Sequence, residues 1–388
     1  MTARISLVLT IILFVVISAC QKHPQSPTTT AKPSSLVAEE QHHPEGGTTP
    51  AAEVKYFKGS IGTTLDLQMK LQRTGDQVTG NYFYRKIGTK IDLKGNVDKD
   101  GNVTLQEFDP SGKQTGLFKG IWKPQAEDGL ITIAGNWSKP PGDKNAEKKT
   151  AFSMHEEPIS FSGNVDVIIK QIKETNKKLN YEIEALYPQL SGSANPNAEK
   201  LNQLVRASVT KEVSDFKKEM AAPVGEGEQP PTEAMGSYIN VAYSIALAQD
   251  DLVSLELDVN TYYRGAAHPN SVTEVVNYDL KNGRQLKLSD LFKPARKYLQ
   301  AISAYCIGDL KKQSKAKAGM LDDSTIQSGA GPTPKNYQNW TVTRRGLGVN
   351  FNSYQVGPYA AGPQYVLVPF AVMKDLTNPD GPIAQFAK

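Results

Sequence analysis

The sequence predicts an α+β fold: an N-terminal antiparallel β-meander or barrel module, followed by an α+β domain of antiparallel sheets with two long helices. In residues 54–158, apolar and polar side chains alternate in short segments that recur about every ten to twelve residues. In residues 159–388, two stretches have apolar residues at helical spacing, and strand-like segments lie around them. The chain of 388 residues is long enough for two or three such units.

The first module, residues 54–158, has the pattern of half-buried antiparallel strands. Leu65, Leu67, Met69 and Leu71 alternate with polar neighbours, and Asp-Gly or Ser-Gly pairs separate the segments. Glycine also precedes an aromatic residue several times, as before Trp122 and Trp137, which suits a strand that bends while a ring covers the gap. We expect these rings to pack in the core; the alternative is that Trp122 or Trp137 is exposed and stacks on sugars.

The second region predicts strands, a helix, hairpins and a second helix in that order. Strands at 165–172 and 179–187 precede an amphipathic helix that starts at Asn195-Pro196 and ends near Met220. A hairpin turns at Asp250-Asp251, a further strand pair follows, and a second helix spans 295–318. The last stretch, residues 340–371, is again rich in strand-forming residues. We divide the region into halves at 159–270 and 271–388.

The N-terminus predicts a lipoprotein. Residues 1–19 have one basic side chain, a short apolar run and small residues before Cys20, which is the pattern of a lipoprotein signal peptide. Cys20 would then carry acyl chains such as palmitate and anchor the protein to a membrane. Residues 20–53 are rich in Pro, Thr, Ser and Glu and predict a disordered tether. Gln21 after the cysteine favours the outer membrane of the cell envelope, on its periplasmic or surface face.

Composition excludes several classes of function. The 44 basic and 40 acidic residues give a net charge of +4, too balanced for a nucleic-acid binder. Two cysteines and five histidines leave little for metal or cofactor chemistry, and we predict neither. The motifs of serine hydrolases, zinc proteases and P-loop enzymes do not occur in the sequence. We therefore expect no catalytic residues.

Residues 160–375 resemble the extracytoplasmic domains of two protein families. The segments that carry the resemblance are 187–190 (YPQL), 262–270 (YYRGAAHPN), 277–280 (NYDL), 286–292 (LKLSDLF) and 346–369. The first half is similar to the accessory domain of PdaC-type peptidoglycan deacetylases. The second half is similar to the C-terminal domain of RsiV-type anti-sigma factors, which bind lysozyme through this region.

The resemblance implies a binding module for a lysozyme-type cell-wall hydrolase or for peptidoglycan. It does not imply deacetylase chemistry, because the folded region offers only His155 and His268 as histidine ligands. The alternatives are an envelope enzyme acting on peptidoglycan, a deacetylase or hydrolase with an unrecognised site, and a structural envelope scaffold. Residues 160–388 carry 25 basic and 23 acidic residues, so bulk charge does not attract a basic lysozyme.

Four residues are the candidates for partner binding: His268, Asn270, Tyr354 and Tyr359. His268 and Asn270 lie in a Gly- and Pro-containing connection between two strands, where they either contact a partner or satisfy main-chain groups of their own loop. Tyr354 and Tyr359 lie in an uncharged stretch rich in Gly and Pro. Exposed tyrosines in such a loop are typical of a recognition surface, but the same rings could instead pin the loop to the sheet.

Overall fold

The N-terminal module is a closed barrel of eight strands, each antiparallel to its neighbour in sequence, with the last strand pairing the first. The computed structural model describes residues 53–84, 90–163, 165–222, 236–294, 297–316 and 319–386. The predicted signal peptide, Cys20 and tether lie outside these residues. The barrel strands are β1 (Glu53–Ile61), β2 (Leu65–Thr74), β3 (Gln77–Tyr84), β4 (Ile91–Val97), β5 (Asn102–Phe108), β6 (Gln114–Pro124), β7 (Ile131–Ser138) and β8 (Thr150–Glu157).

The barrel interior is filled by side chains, as expected for a barrel of this size. Tyr82, Phe118 and Phe152 meet edge to face in the core. Inward-facing glycines let neighbouring strands approach closely: a Cβ on Gly95 would lie 1.8 Å from the main-chain oxygen of Thr104. A side chain at this position would therefore push two strands apart.

The predicted core role of the Gly-associated rings is confirmed for Trp122. Its side chain is 7% exposed and packs against Phe57, with ring centroids 5.5 Å apart. The sugar-stacking alternative is therefore wrong for Trp122, because the ring points into the barrel. Trp137 is half-buried and donates from Nε1 to the buried Glu107 at 2.9 Å.

The second region is built on a seven-stranded sheet in the order β10–β11–β12–β13–β14–β15, with β9 pairing β12 off this path. Helix α1 covers one face of the sheet, and its residues Leu201, Val205 and Val209 are buried there. Its elements are β9 (Ile159–Ser160), β10 (Asp166–Asn176), β11 (Tyr181–Ser191), α1 (Asn197–Ala221), β12 (Ser237–Gln249), β13 (Leu252–Tyr262), β14 (Asn270–Asp279) and β15 (Arg284–Gln285).

The remaining elements enclose a second core around Ile302, Cys306 and Val349. A three-stranded antiparallel sheet in the order β16–β17–β18 packs with two helices. A one-turn 3-10 helix, Leu288–Leu291, leads into this part. Its elements are α2 (Tyr298–Ala316), α3 (Asp323–Gly329), β16 (Trp340–Val342), β17 (Gly346–Phe351), β18 (Gln364–Pro369) and α4 (Phe370–Met373).

The predicted α+β class and the barrel are confirmed, with two differences of detail. Strands β11 and β12 pair in parallel, because α1 lies in the connection between them and a parallel pair needs such a crossover. The seven-stranded sheet also continues through β14, across the position between residues 270 and 271. Within the described ranges, no helix is long and apolar enough to span a membrane.

The barrel and the second region touch through polar contacts within one compact unit, residues 50–388. Gln68 on β2 donates to the Tyr243 hydroxyl of β12 at 2.8 Å. Lys58 on β1 lies over the ring of the same tyrosine, 3.8 Å from its centroid. Arg345 forms an ion pair with Glu127 of the β6–β7 turn at 2.8 Å. These contacts fix the barrel against one end of the sheet.

Candidate functional site

Two loops bring three of the four predicted site residues together. His268 lies in the connection between β13 and β14, and Tyr354 and Tyr359 lie in the loop between β17 and β18. His268 and Tyr359 stack with their ring centroids 3.7 Å apart, and Tyr354 and Tyr359 lie 5.6 Å apart. We call these three residues the aromatic cluster. They form a continuous row of rings at the protein surface.

The row is held together by one main-chain carbonyl. The Tyr359 hydroxyl donates to the Pro269 oxygen at 2.6 Å, and His268 Nδ1 lies 2.9 Å from the same oxygen. Because a carbonyl only accepts, Nδ1 carries the hydrogen, which leaves Nε2 of the neutral ring as an acceptor. The Tyr354 hydroxyl lies 3.5 Å from Nε2, at the limit of a hydrogen bond.

Amide side chains hold the tyrosine loop in place. Asn352 Oδ1 accepts from the main-chain N–H of Thr273 on β14 at 3.0 Å. Gln355 Nε2 donates to the main-chain oxygens of Gly329 and Asn336, both at 3.0 Å. These bonds tie the loop to the large sheet on one side and to the end of α3 on the other. Tyr354 lies between the two amides, so the loop is held in place on both sides of this residue.

The two tyrosines lie in different environments, and the alternative that a ring pins the loop applies to Tyr359. Tyr359 is half-buried and pins the loop to Pro269. Tyr354 is 63% exposed, and its main chain has φ of 71°, in the left-handed region. A residue other than glycine, asparagine or aspartate is rare there and carries local strain. The loop therefore holds an exposed aromatic ring in a conformation that its own backbone disfavours.

Asn270 lies beside the cluster without joining it. It is exposed at the first position of β14, where it stands opposite Thr261 in the ladder. None of the described side-chain hydrogen bonds links Asn270 to His268 or to either tyrosine. The structure therefore places Asn270 next to the aromatic cluster, and its predicted part in binding stays a prediction.

The sequence reasoning missed the residues that support the cluster, namely Pro269, Asn352 and Gln355. Amides in an uncharged Gly/Pro loop were the available signal, but their partners on β14 and α3 lie far away in sequence. Tyr365 on β18 is also exposed, at 46%, but its hydroxyl lies beside Gly348 on the neighbouring strand. Burial of the hydroxyl, with the nearby Glu256 carboxylate, raises the pKa of Tyr365.

Three observations concern residue types that can bind metals or act as nucleophiles. No group of three or more His, Cys, Asp or Glu side chains among the described residues is arranged to hold a metal ion. His155 lies on the barrel strand β8, where its ring contacts Ser153 and Thr132 and not the aromatic cluster. Burial raises the pKa of the Cys306 thiol to about 12, so this cysteine stays protonated and lacks the thiolate of a nucleophile.

Two family models match consecutive parts of the second region. A model described as "Deacetylase PdaC" matches residues 172–271, which cover most of the seven-stranded sheet and α1. A model described as "Protein of unknown function (DUF3298)" matches residues 289–371, which cover α2, α3 and the three-stranded sheet. The aromatic cluster contains residues from both matched segments: His268 lies in the first, and both tyrosines lie in the second.

Curated relatives match the same part of the chain. The peptidoglycan-N-acetylmuramic acid deacetylase PdaC of Bacillus subtilis is 27% identical over 215 residues, which are 55% of this chain and 42% of that protein. The immunogenic protein MPT64 of Mycobacterium tuberculosis is 30% identical over 105 residues, which are 27% of this chain and 43% of that protein. The chain thus spans less than half the length of these relatives.

Two solved structures are similar to part of this chain. A DUF3298 family member from Bacteroides fragilis is 21% identical, has a TM-score of 0.41, and covers 58% of this chain and 98% of its own. A DUF3298 family protein from Pseudomonas aeruginosa is 14% identical, also has a TM-score of 0.41, and covers 55% and 94%. By the two family-model matches, the C-terminal region of this chain combines a segment similar to the PdaC model with one similar to the DUF3298 model.

Proposed function

We propose that this protein is a non-enzymatic binding protein of the cell envelope and that its ligand is peptidoglycan. A lipid on Cys20 attaches it to a membrane, with the outer membrane favoured, and the aromatic cluster makes the contact with the ligand. The observation that carries the proposal is Tyr354: its ring is largely exposed, its main chain is strained, and its loop is held on both sides. Strain that the surrounding structure maintains is characteristic of functional sites.

The chemistry of the cluster suits an uncharged sugar surface. A tyrosine ring buries a large apolar area at a low cost in side-chain entropy, and the flat C–H face of a sugar ring can lie against it. The hydroxyl of Tyr354 adds a donor and an acceptor at the edge of that contact. The stretch from Asn352 to Gly362 carries no charge, and the whole region is close to neutral. Contact through rings, not charge-driven capture, is therefore the binding mode that we expect.

The relative from Bacillus subtilis supports the ligand class. Its name states that it acts on the N-acetylmuramic acid of peptidoglycan, and the similarity to this chain covers 42% of it. The described residues of this chain supply no metal-binding cluster of the kind that a metal-dependent deacetylase needs. We therefore propose that the shared region serves association with the same polymer and not its deacetylation.

A lysozyme-type hydrolase is a second candidate partner. The loop between β17 and β18 contains Tyr, Ser, Asn and Gly around an exposed ring, a composition found in antibody loops that bind proteins. The resemblance to the lysozyme-binding domain of RsiV-type proteins points the same way. The near-neutral charge of residues 160–388 gives no long-range attraction for a basic lysozyme, which places this candidate second.

Co-sedimentation with purified peptidoglycan tests the proposal. The full-length protein in detergent is mixed with insoluble peptidoglycan, and the bound fraction is measured after centrifugation. Wild-type protein should pellet, and Tyr354→Ala should reduce the apparent affinity at least about tenfold, since an aromatic hot spot is worth roughly 2 kcal/mol. Tyr365→Ala is the matched control, because it removes another exposed tyrosine outside the cluster.

The outcomes separate the alternatives. No binding by the wild type would remove peptidoglycan as the ligand. Equal binding by the two variants would remove the aromatic cluster as its site. Retention of immobilised lysozyme by the wild type but not by Tyr354→Ala would favour the protein partner. Release of acetate or of soluble fragments from the polymer would instead indicate an envelope enzyme.

A further inference from the structure

A cavity of about 320 Å³ lies where the barrel meets the edge of the seven-stranded sheet. Barrel strands β1, β2 and β3 form one wall through Tyr56, Lys70 and Phe83. The first half of β10 forms the other wall. No pattern in the sequence indicates this cavity, because its walls come from segments about a hundred residues apart. Leu186 of β11 and Tyr243 of β12 also line it. The edge strand β10 lies three strands away from β13, which leads to the aromatic cluster.

Strand β10 is an edge strand. It pairs with β11 along its whole length, and no other strand among the described residues pairs with its opposite side. Leu190 of β11, which stands opposite Val167, uses both its N–H and its C=O on the Asn202 side chain, so this pair exchanges no ladder bonds and the N–H of Val167 points away from β11. The Tyr56 hydroxyl of the barrel bonds Asp166, the neighbour of Val167. In an antiparallel pair, the residues that face the partner alternate with those that face away. Ile169 and Gln171 therefore also turn their N–H and C=O groups away from β11, towards the cavity.

The partner of Ile169 supports this orientation. Ile169 stands opposite Pro188 of β11, which has no N–H to donate to the ladder. A proline fits there because this pair exchanges no hydrogen bonds. The barrel caps the outward side of β10 at Val167 and leaves the next outward groups, those of Ile169 and Gln171, at the open cavity.

The side chains around this edge are apolar within the cavity and basic at its rim. Val167, Ile169 and Phe83 line the cavity. The acids of the strand are neutralised, Asp166 by Lys70 and Glu174 by Lys217. Lys173 stands opposite Glu184 of β11, whereas the salt bridges found in the described part of the chain do not engage Lys90 or Lys170. The open edge therefore presents hydrogen-bonding groups, an apolar recess and uncompensated positive charge.

We propose that this edge is a binding site for an extended acidic peptide segment, which adds to β10 as a further strand over residues 169–173. Only a peptide backbone offers N–H and C=O groups at the spacing of the outward groups of β10, and strand addition at sheet edges is a common mode of peptide recognition. Apolar side chains of the peptide would enter the recess beside Ile169 and Phe83. Acidic side chains would meet Lys90 and Lys170.

The test uses a blocked seven-residue peptide of alternating valine and glutamate, labelled with a fluorophore, and the full-length protein in detergent. Anisotropy should report saturable binding that weakens as salt is raised. Ile169→Pro should weaken binding at least about tenfold, because it removes an outward N–H while the ladder to β11 keeps its bonds. Ile169→Val is the matched control and should bind like the wild type. Unchanged thermal unfolding shows that the proline variant is folded.

Two further probes keep the proposal falsifiable if the proline variant unfolds. The same peptide N-methylated at alternate residues should lose binding, and a valine–lysine peptide should bind at least about tenfold more weakly. Equal binding of the N-methylated peptide would overturn strand addition. Concentration-dependent dimerisation of the wild type that Ile169→Pro abolishes would show that a second copy occupies the edge. Tyr354→Ala should bind the peptide normally, which separates this site from the aromatic cluster.

Discussion

The barrel and the loop between β17 and β18 are both rich in glycine and aromatic residues, but they use the rings in opposite ways. In the barrel, the rings of Tyr82, Phe118 and Trp122 point inward and are buried. In the loop, Tyr354 points outward and is 63% exposed. Both segments combine glycine with aromatic residues, so this combination alone does not distinguish a core from a recognition surface. The surrounding topology makes the difference.

Closure of the sheet into a barrel is the reason that the barrel rings point inward. Side chains alternate between the inside and the outside of a closed barrel, so rings at every second position must meet in the interior. The loop has no such alternation. Its amides Asn352 and Gln355 bond to β14 and to the end of α3, and Tyr354 takes up a left-handed main-chain conformation between them. Stability should therefore depend on the barrel rings, and binding on the loop ring.

The largest effect on stability is expected for Phe118→Ala. Phe118 is fully buried and contacts Tyr82 and Phe152 edge to face. Its truncation leaves a cavity and should lower the free energy of unfolding by about 3–5 kcal/mol. Denaturant unfolding followed by tryptophan fluorescence measures this change. A loss below about 1 kcal/mol would contradict a core packed by these rings.

The next effect concerns alkaline pH. Burial, with the nearby Glu107 carboxylate, raises the pKa of Tyr82 above its ordinary value of 10.0. Above pH 10 the unfolded chain loses this proton while the folded chain keeps it, so the stability present below pH 10 is lost as pH rises. The expected loss is about 1.4 kcal/mol per pH unit from this one group.

Comparison with Tyr82→Phe isolates that contribution. The variant lacks the titrating hydroxyl, so its free energy of unfolding should fall less steeply between pH 10 and pH 11.5 than that of the wild type. Denaturant unfolding at several pH values gives both slopes. Equal slopes would show that Tyr82 does not titrate differently in the folded and unfolded states.

The sequence predicted much of the barrel because alternation with period two is a local signal. It did not identify β1 as a separate strand, since Tyr56 and Phe57 are adjacent and both buried. The structure explains this: Phe57 packs inside the barrel, whereas Tyr56 turns outward and bonds Asp166 of β10 at 2.8 Å. A strand whose side chains pack in two different cores does not show a simple alternation of apolar and polar residues. The parallel pairing of β11 with β12 likewise has no local signal.

A smaller effect is expected for Tyr359→Phe. The hydroxyl of Tyr359 donates to the Pro269 oxygen at 2.6 Å, and the ring stacks on His268. The loss of this hydrogen bond should cost about 1 kcal/mol of unfolding free energy. It should also weaken ligand binding less than Tyr354→Ala does, because the ring stays in place. Denaturant unfolding together with co-sedimentation measures both; unchanged stability would mean that the bond does not hold the loop.

The smallest effect on the free energy of unfolding is expected for Tyr354→Gly, and any change should be an increase. Glycine adopts positive φ without strain, so relief at this position should offset its greater loss of chain entropy. We expect unfolding free energy between unchanged and about 1 kcal/mol higher, together with a clear loss of ligand binding. A gain in stability joined to a loss of function is typical of strained functional sites. A destabilisation above about 1 kcal/mol would show that the ring supports the fold.

The candidate site could be predicted in part because its residue types are distinctive. His268, Tyr354 and Tyr359 lie in Gly- and Pro-containing segments, and the structure brings the three rings into contact. Which tyrosine would be exposed could not be predicted, since this depends on the Pro269 carbonyl and on amide contacts with distant strands. The cavity beside β10 could not be predicted from the sequence, because its lining residues come from several segments that lie far apart in the chain.

Nitration of surface tyrosines tests most directly whether the aromatic cluster touches the ligand. Tetranitromethane is applied to the protein with and without saturating soluble peptidoglycan fragments, and mass spectrometry measures modification at Tyr354 and Tyr365. Tyr354 is largely exposed and should react readily in the free protein, whereas Tyr365, whose hydroxyl is buried and whose pKa is raised, should react more slowly and serves as an internal reference. We predict that the fragments protect Tyr354 and leave Tyr365 unprotected. Equal nitration of Tyr354 with and without fragments, at concentrations where binding is demonstrated, would contradict the proposed site.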